Sequence, residues 1–263
     1  MSELARYFRI WRRMALNSLQ AQLSYRMGSA GFFVGKLVRM FFFLAYVVAI
    51  FGRTQKLAGY SLDEVVVFFL TFNIIDVAAQ IFLRGVYAAR RVIDDGDLDT
   101  YLTQPCAPLF RMACSSVDFL DLGTLIPVLV LLARTWPRLG PVPADRVLAY
   151  GLLIANGMAI AFAIHVFVGA LAVRTQELEN TIWVYKDMMF LGKFPMDIYA
   201  SPVRWVLVTA VPIGVMVCFP AQALLGKLSW AWGLYAVLLS AALLAASLAF
   251  WRDSLKRYTS VSR

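Results

Sequence analysis

Six apolar blocks, near Gly28–Phe51, Leu62–Leu83, Met112–Ala133, Val147–Val173, Leu178–Phe194 and Ser229–Trp251, dominate the sequence and limit what it can become. A helix needs about 20 residues to cross the hydrocarbon of a bilayer, where every backbone polar group must be satisfied internally. Blocks of this length predict an all-α membrane protein with six transmembrane helices. Composition agrees. The chain is 61% apolar and 16% charged, with mean hydropathy +0.70, against roughly 45–50% and about 25% in soluble domains. With no solenoid repeat, no linker and no soluble domain in view, residues 1–263 read as a single membrane domain.

A seventh apolar stretch, Val203–Ala221, is interrupted by Pro212 and bounded by Pro202 and Pro220. Two arrangements fit it. Either it dips into the membrane and returns, or it spans and Leu178–Phe194 lies at the surface. Both leave six crossings and the same side for each loop.

Ahead of the first block, Leu4, Tyr7, Phe8, Trp11, Ala15, Leu19 and Leu23 recur at helical spacing, opposed by Arg6, Arg9, Arg13, Asn17 and Gln20. An aromatic-bearing stripe facing arginines describes a helix lying in the membrane surface. We expect this amphipathic helix within residues 1–27, and no cleavable signal, because the apolar block behind it is too long for a signal core. With both termini on one side, that side receives fourteen Lys and Arg and the other eight, with Lys36, Arg39 and Lys186 inside spans. The bias puts both termini in the cytosol. Cys106, Cys114 and Cys218 form no metal-like pattern, and the single histidine, His165, excludes a His-based metal cluster. No metal site is expected.

Between the second and third spans the cytosolic loop, residues 90–110, holds Asp94, Asp95, Asp97 and Asp99 in a chain of net charge +9. The spacing predicts that Arg84–Asp95 continues the second span as helix and that Gly96 ends it in the left-handed conformation. Asp97 would then N-cap a short helix whose apolar face is Leu98, Tyr101 and Leu102, stopped by Pro105 and Pro108. So short a helix needs something to dock into. A soluble partner with a basic-rimmed apolar groove would suit both its charge and its exposed Leu and Tyr.

The chain resembles the permease subunits of type-2 ABC exporters, closest to the bacterial branch whose permease is encoded apart from its ATPase. The resemblance is carried by Tyr60-Ser61-Leu62-Asp63-Glu64, by Gly96-Asp97-Leu98-Asp99-Thr100-Tyr101-Leu102 with Pro105, and by Phe194-Pro195-Met196-Asp197-Ile198-Tyr199. Val211-Pro212 and Phe219-Pro220-Ala221-Gln222-Ala223-Leu224-Leu225-Gly226 follow in the family's order. Gln104 and Cys106 depart from its pattern. The resemblance implies an N-terminal surface helix, a short cytosolic coupling helix that inserts into the ATPase, and outer re-entrant helices, here 195–227, before the last span. On it, Val203–Ala221 is the dipping element and Leu178–Phe194 the fifth span. It also implies two permeases, identical or homologous, with two cytosolic ABC ATPases in a bacterial inner membrane, contacting lipid and no nucleic acid. ATP and Mg would sit on the ATPase, with no cofactor on this chain. The ATPase-docking residues implied are Asp94, Asp95, Gly96, Asp97, Leu98, Asp99, Tyr101 and Leu102. The chain lacks GxxxxGK[ST]; Gly31-Phe32-Phe33-Val34-Gly35-Lys36-Leu37 has the wrong spacing and lies in a span.

Polar residues at membrane depth are functional candidates by default. Asn73, Asp76, Gln80 and Arg84 form a stripe on the second span, and Ser115, Asp118 and Asp121 another on the third. Lys36 and Arg39 can pair with either stripe. Because the resemblance makes the second and fifth spans line the route, Asn73, Asp76, Gln80, Lys186 and Asp187 are the pathway candidates. Two alternatives compete with a transport subunit. A membrane transferase acting on lipid would need Asp118, Asp121 and His165 in one pocket. An ion-coupled secondary transporter would show broken spans in both halves, and only the C-terminal half has one.

Overall fold

The computed structural model describes residues 3–24, 26–175 and 181–259. Among them there is no strand, only an isolated bridge between Leu57 and Tyr60, and the chain is an all-α membrane protein. Helix α1 (Glu3–Ser24) precedes α2 (Arg26–Phe51) and α3 (Leu62–Leu83). A 3-10 segment, Arg84–Ala88, leads into three short helices, α4 (Ala89–Asp94), α5 (Asp97–Thr103) and α6 (Pro108–Ala113). Then come α7 (Phe119–Thr135), α8 (Ala144–Thr175), α9 (Thr181–Met189), α10 (Ser201–Thr209), α11 (Phe219–Leu224) and α12 (Trp230–Lys256). Among the described residues, five helical stretches are long and apolar enough to cross a membrane, and six if the bent pair of α10 with Gly214–Leu224 is taken as one span.

The helix starts follow from local chemistry. Ser61 caps α3 in a capping box: its hydroxyl accepts from the Glu64 amide, and the Glu64 carboxylate accepts from the Ser61 amide at 2.7 Å. The third span begins at Phe119 rather than at Met112 as the hydropathy predicts. Asp118 is the reason: Oδ1 accepts from the Leu120 and Asp121 amides, and a side chain so engaged starts a helix instead of lying inside one. The break just before it is held by α1. Gln22 donates to the Val117 carbonyl at 2.8 Å and accepts from the Phe119 amide, and the Ser18 hydroxyl accepts from the Val117 amide. Tyr7 Oη accepts from the Ala107 amide, and its ring meets Phe110 edge-on.

Contacts at the helix ends fix the topology. At one end Arg174 pairs with Asp253, and Tyr258 packs in the same cluster as Leu98. At the opposite end Arg138 pairs with Asp63, Lys227 with Glu64, and Tyr60 donates to Asp197 at 2.8 Å. The chain from Thr175 to Asp197 therefore runs from one end of the bundle to the other, through α9 and the 3-10 turn Phe190–Lys193. With α2, α3, α7, α8 and α12 this makes six passes. By itself α9 has nine residues and falls short of a span, and part of the expected span Leu178–Phe194 lies outside the described residues.

The proline-broken stretch folds into two limbs at 82°. Its turn holds Pro212 and a π-helical segment, Gly214–Cys218. Both limbs come back to Asp197: Arg204 of the first limb pairs with it at 3.3 Å, and Gln222 of the second donates to it at 3.2 Å. The turn penetrates far enough to lie on Gly157 of α8, where a Cβ would collide with the Met216 carbonyl oxygen. Cys218 donates to the carbonyls of Gly192 and Phe194, tying the hairpin to the pass that runs through α9, the fifth in chain order. Buried α3 is the central helix of the bundle, packed against α7 and α8, and α8 lies along α12.

Candidate functional site

The acidic segment is better anchored than its sequence indicates. Gly96 takes φ +75°, as a helix-ending glycine should. It is also the N-cap of α5, so Asp97 is the first helical residue and not the cap, and no side chain caps this end. Two of the four aspartates are balanced one turn back. Arg90 donates to Asp94 at 2.7 Å and Arg91 to Asp95 at 3.2 Å. Asp97 and Asp99 lie in the first turn of α5, where the helix dipole favours acid.

Leu98 overturns the expectation of an exposed apolar face. It is 0% exposed and packs among Ile93, Met112, Val173 and Trp251, at the meeting of α4, α6, α8 and α12. Such burial is worth about 1.5–3 kcal/mol. The partner this short helix needs is the chain itself. Tyr101 is half-buried in the same cluster, with the Arg111 guanidinium 5.4 Å above its ring. Burial first, and then the Asp97 charge, push its hydroxyl above the usual phenol range, against the opposing pull of Arg111. Asp94, Asp95, Asp97 and Leu102 remain on the outer face, with Leu102 43% exposed.

The pathway candidates converge in part. A cavity of about 440 Å³ is walled by α2, α3, α7, α9, Arg84 and the turn after α9, and Asn73, Asp76, Lys186 and Asp187 all line it. Lys186 donates to Asp76 at 2.6 Å, joining the second and fifth elements of the expected route by an ion pair. Gln80 is not in the wall. It is 1% exposed, accepts from Arg84 at 2.9 Å and donates to Tyr87 Oη. Asn73 donates to the Phe69 carbonyl.

Four cationic wall residues stand outside the expected set: Lys36, Arg39, Arg84 and Lys193. Lys36 pairs with Asp121 and lies 3.7 Å from Asp118; its place inside an apolar block that begins at Gly28, opposite an acidic stripe, was the signal. Arg39 and Lys193 also line the cavity. Lys193 is 5% exposed and sits 3.6 Å from the Phe190 ring centroid, with Phe72 and Phe43 beyond.

The pocket a transferase would need does not form. Asp118 and Asp121 turn to Lys36, whereas His165 Nδ1 bonds the Ala161 carbonyl and its ring packs between Tyr87 and Tyr185.

No curated protein and no solved structure matches the chain. A family model described as "ABC-2 family transporter protein" matches residues 37–262, which takes in α3, the acidic segment, the cavity and the hairpin. The chain thus belongs to the ABC-2 transporter family and is a permease, a multi-pass membrane component that itself catalyses nothing and works with an ABC ATPase.

Proposed function

We propose that the chain is the membrane subunit of an ATP-driven exporter in a bacterial inner membrane, with both termini and the acidic segment cytosolic. Two such permeases, identical or homologous, associate with two ATPases, which carry the ATP and Mg. The single observation behind this reading is the asymmetry of the segment α4–α5. Its inner face is locked to α8 and α12 through Leu98, and its outer face offers Asp94, Asp95, Asp97 and Leu102. A segment held this way transmits force, whereas a solvated turn dissipates it. Docking therefore rests on the exposed acids and Leu102, with Leu98 as the anchor behind them. The cavity with Asn73, Asp76, Lys186 and Asp187 is then half of the substrate route, and the hairpin at 195–227 closes its outer end.

An Asp97→Lys/Leu102→Glu double variant, purified from its native membrane beside the unaltered chain, tests the reading. The co-purifying ATPase should fall roughly tenfold, about 1.4 kcal/mol of docking energy, while the melting temperature of the permease stays unchanged. Full ATPase recovery with the double variant overturns the docking role.

A further inference from the structure

Ionisable groups at membrane depth persist where something compensates them. In the cavity wall most are compensated within the chain. Lys36 has Asp121 and Asp118, Lys186 has Asp76, and Arg84 has Gln80 and, at 3.9 Å, Asp118. Arg39 and Lys193 are different. Among the described residues neither has a carboxylate within ion-pair distance, and Asp187, the remaining acid of the wall, reaches neither. Both nevertheless address one ring: the Arg39 guanidinium lies 5.8 Å and the Lys193 ammonium 3.6 Å from the Phe190 centroid. Ring faces attract cations but carry no net charge. Two like charges brought to one phenyl ring repel each other. An anion between them would reverse the sign of that interaction.

The rest of the wall says what the anion is attached to. Phe32, Phe69, Phe72 and Trp183 line the same cavity, an apolar surface that a small hydrated anion would leave unused. We propose that this cavity binds an anionic amphiphile, with a phosphate- or carboxylate-type headgroup held by Arg39 and Lys193 and an apolar body along the aromatic wall. This rests on the cavity being the substrate route and names the class of substrate it takes.

The permease alone, in nanodiscs of zwitterionic lipid, is titrated with dodecyl phosphate, dodecylphosphocholine and inorganic phosphate, with binding followed by native mass spectrometry. Dodecyl phosphate should bind saturably, and the other two should not. Arg39→Gln, at an exposed position, and Lys193→Gln should each weaken binding, and together by roughly tenfold or more, with Lys256→Gln as an unaffected control. If Lys193→Gln alone fails to fold, Arg39→Gln carries the test. Equal binding of dodecylphosphocholine, binding of inorganic phosphate alone, or undiminished binding by Arg39→Gln overturns the inference. So does loss of a permease dimer in place of loss of ligand, which would assign the two cations to a subunit interface. No ATPase is present, so failure here is separate from failure of docking, which is read by co-purification.

Discussion

Leu98 and Leu102 are one helical turn apart and have opposite fates. Leu98→Ala removes a fully buried side chain from a four-helix junction and should cost about 2–5 kcal/mol, read as a lowered unfolding midpoint in detergent. Leu102→Ala should stay within about 0.5 kcal/mol of the parent, because its side chain lies on the exposed face of α5. A second residue-scale prediction concerns Asp76 and Lys186. Lys186→Met leaves a carboxylate at membrane depth without its partner and should lower the melting temperature, and Asp76→Asn/Lys186→Met should recover part of the loss. Equal melting of the single and double variants would show that the pair is not coupled. Asp76 was legible as a candidate because a carboxylate in an apolar block is conspicuous. The burial of Leu98 was not. Its spacing with Tyr101 and Leu102 shows that an apolar face exists, but not that α8 and α12 supply the surface it meets.

At the scale of elements, the punctuation of the sequence carried furthest. Gly96 ends α4 where a glycine was expected to, and the prolines mark the hairpin. The S-x-x-E of Ser61 and Glu64 is a readable start signal for α3. The start of α7 was missed because the free backbone groups at residue 117 and beyond are satisfied by Ser18 and Gln22, about a hundred positions away. Hydropathy over one block has no access to that. Gln22→Ala should leave the apolar helices intact and speed amide hydrogen exchange at Phe119, which loses its side-chain acceptor, while the Val117 amide keeps Ser18. The hairpin has its own test. Gly157→Ala puts a methyl group against the Met216 carbonyl, so it should destabilise the molecule far more than alanine usually does in place of a helical glycine.

For the whole molecule, the passes follow from which ends meet. Arg174–Asp253 and Tyr60–Asp197 place Thr175 and Asp197 at opposite ends, so the chain between them crosses, although α9 is too short to be recognised as a span. Hydropathy correctly predicts an all-α membrane bundle, since 20-residue apolar blocks have few other outcomes. The layout of the cavity was less accessible, because its wall combines residues from four separate helices and includes Lys193 from a turn. Orientation can be tested in a cysteine-free background. Thr100→Cys should label only from the cytosolic side and Gln55→Cys only from outside, since the two occupy exposed positions at opposite ends. The reverse pattern would invert the proposed topology.

The joint between α3 and the acidic segment is a 3-10 stretch, Arg84–Ala88, and such stretches in a helical run are mechanically weaker than the α-helix on either side. Beyond this weak joint, Leu98 fastens the segment to α8 and α12; before it, α3 carries Asn73 and Asp76 on the cavity wall. A stroke delivered at the segment would thus reach α8 and α12 directly through Leu98, and reach α3, packed against α7 and α8, only by way of that joint.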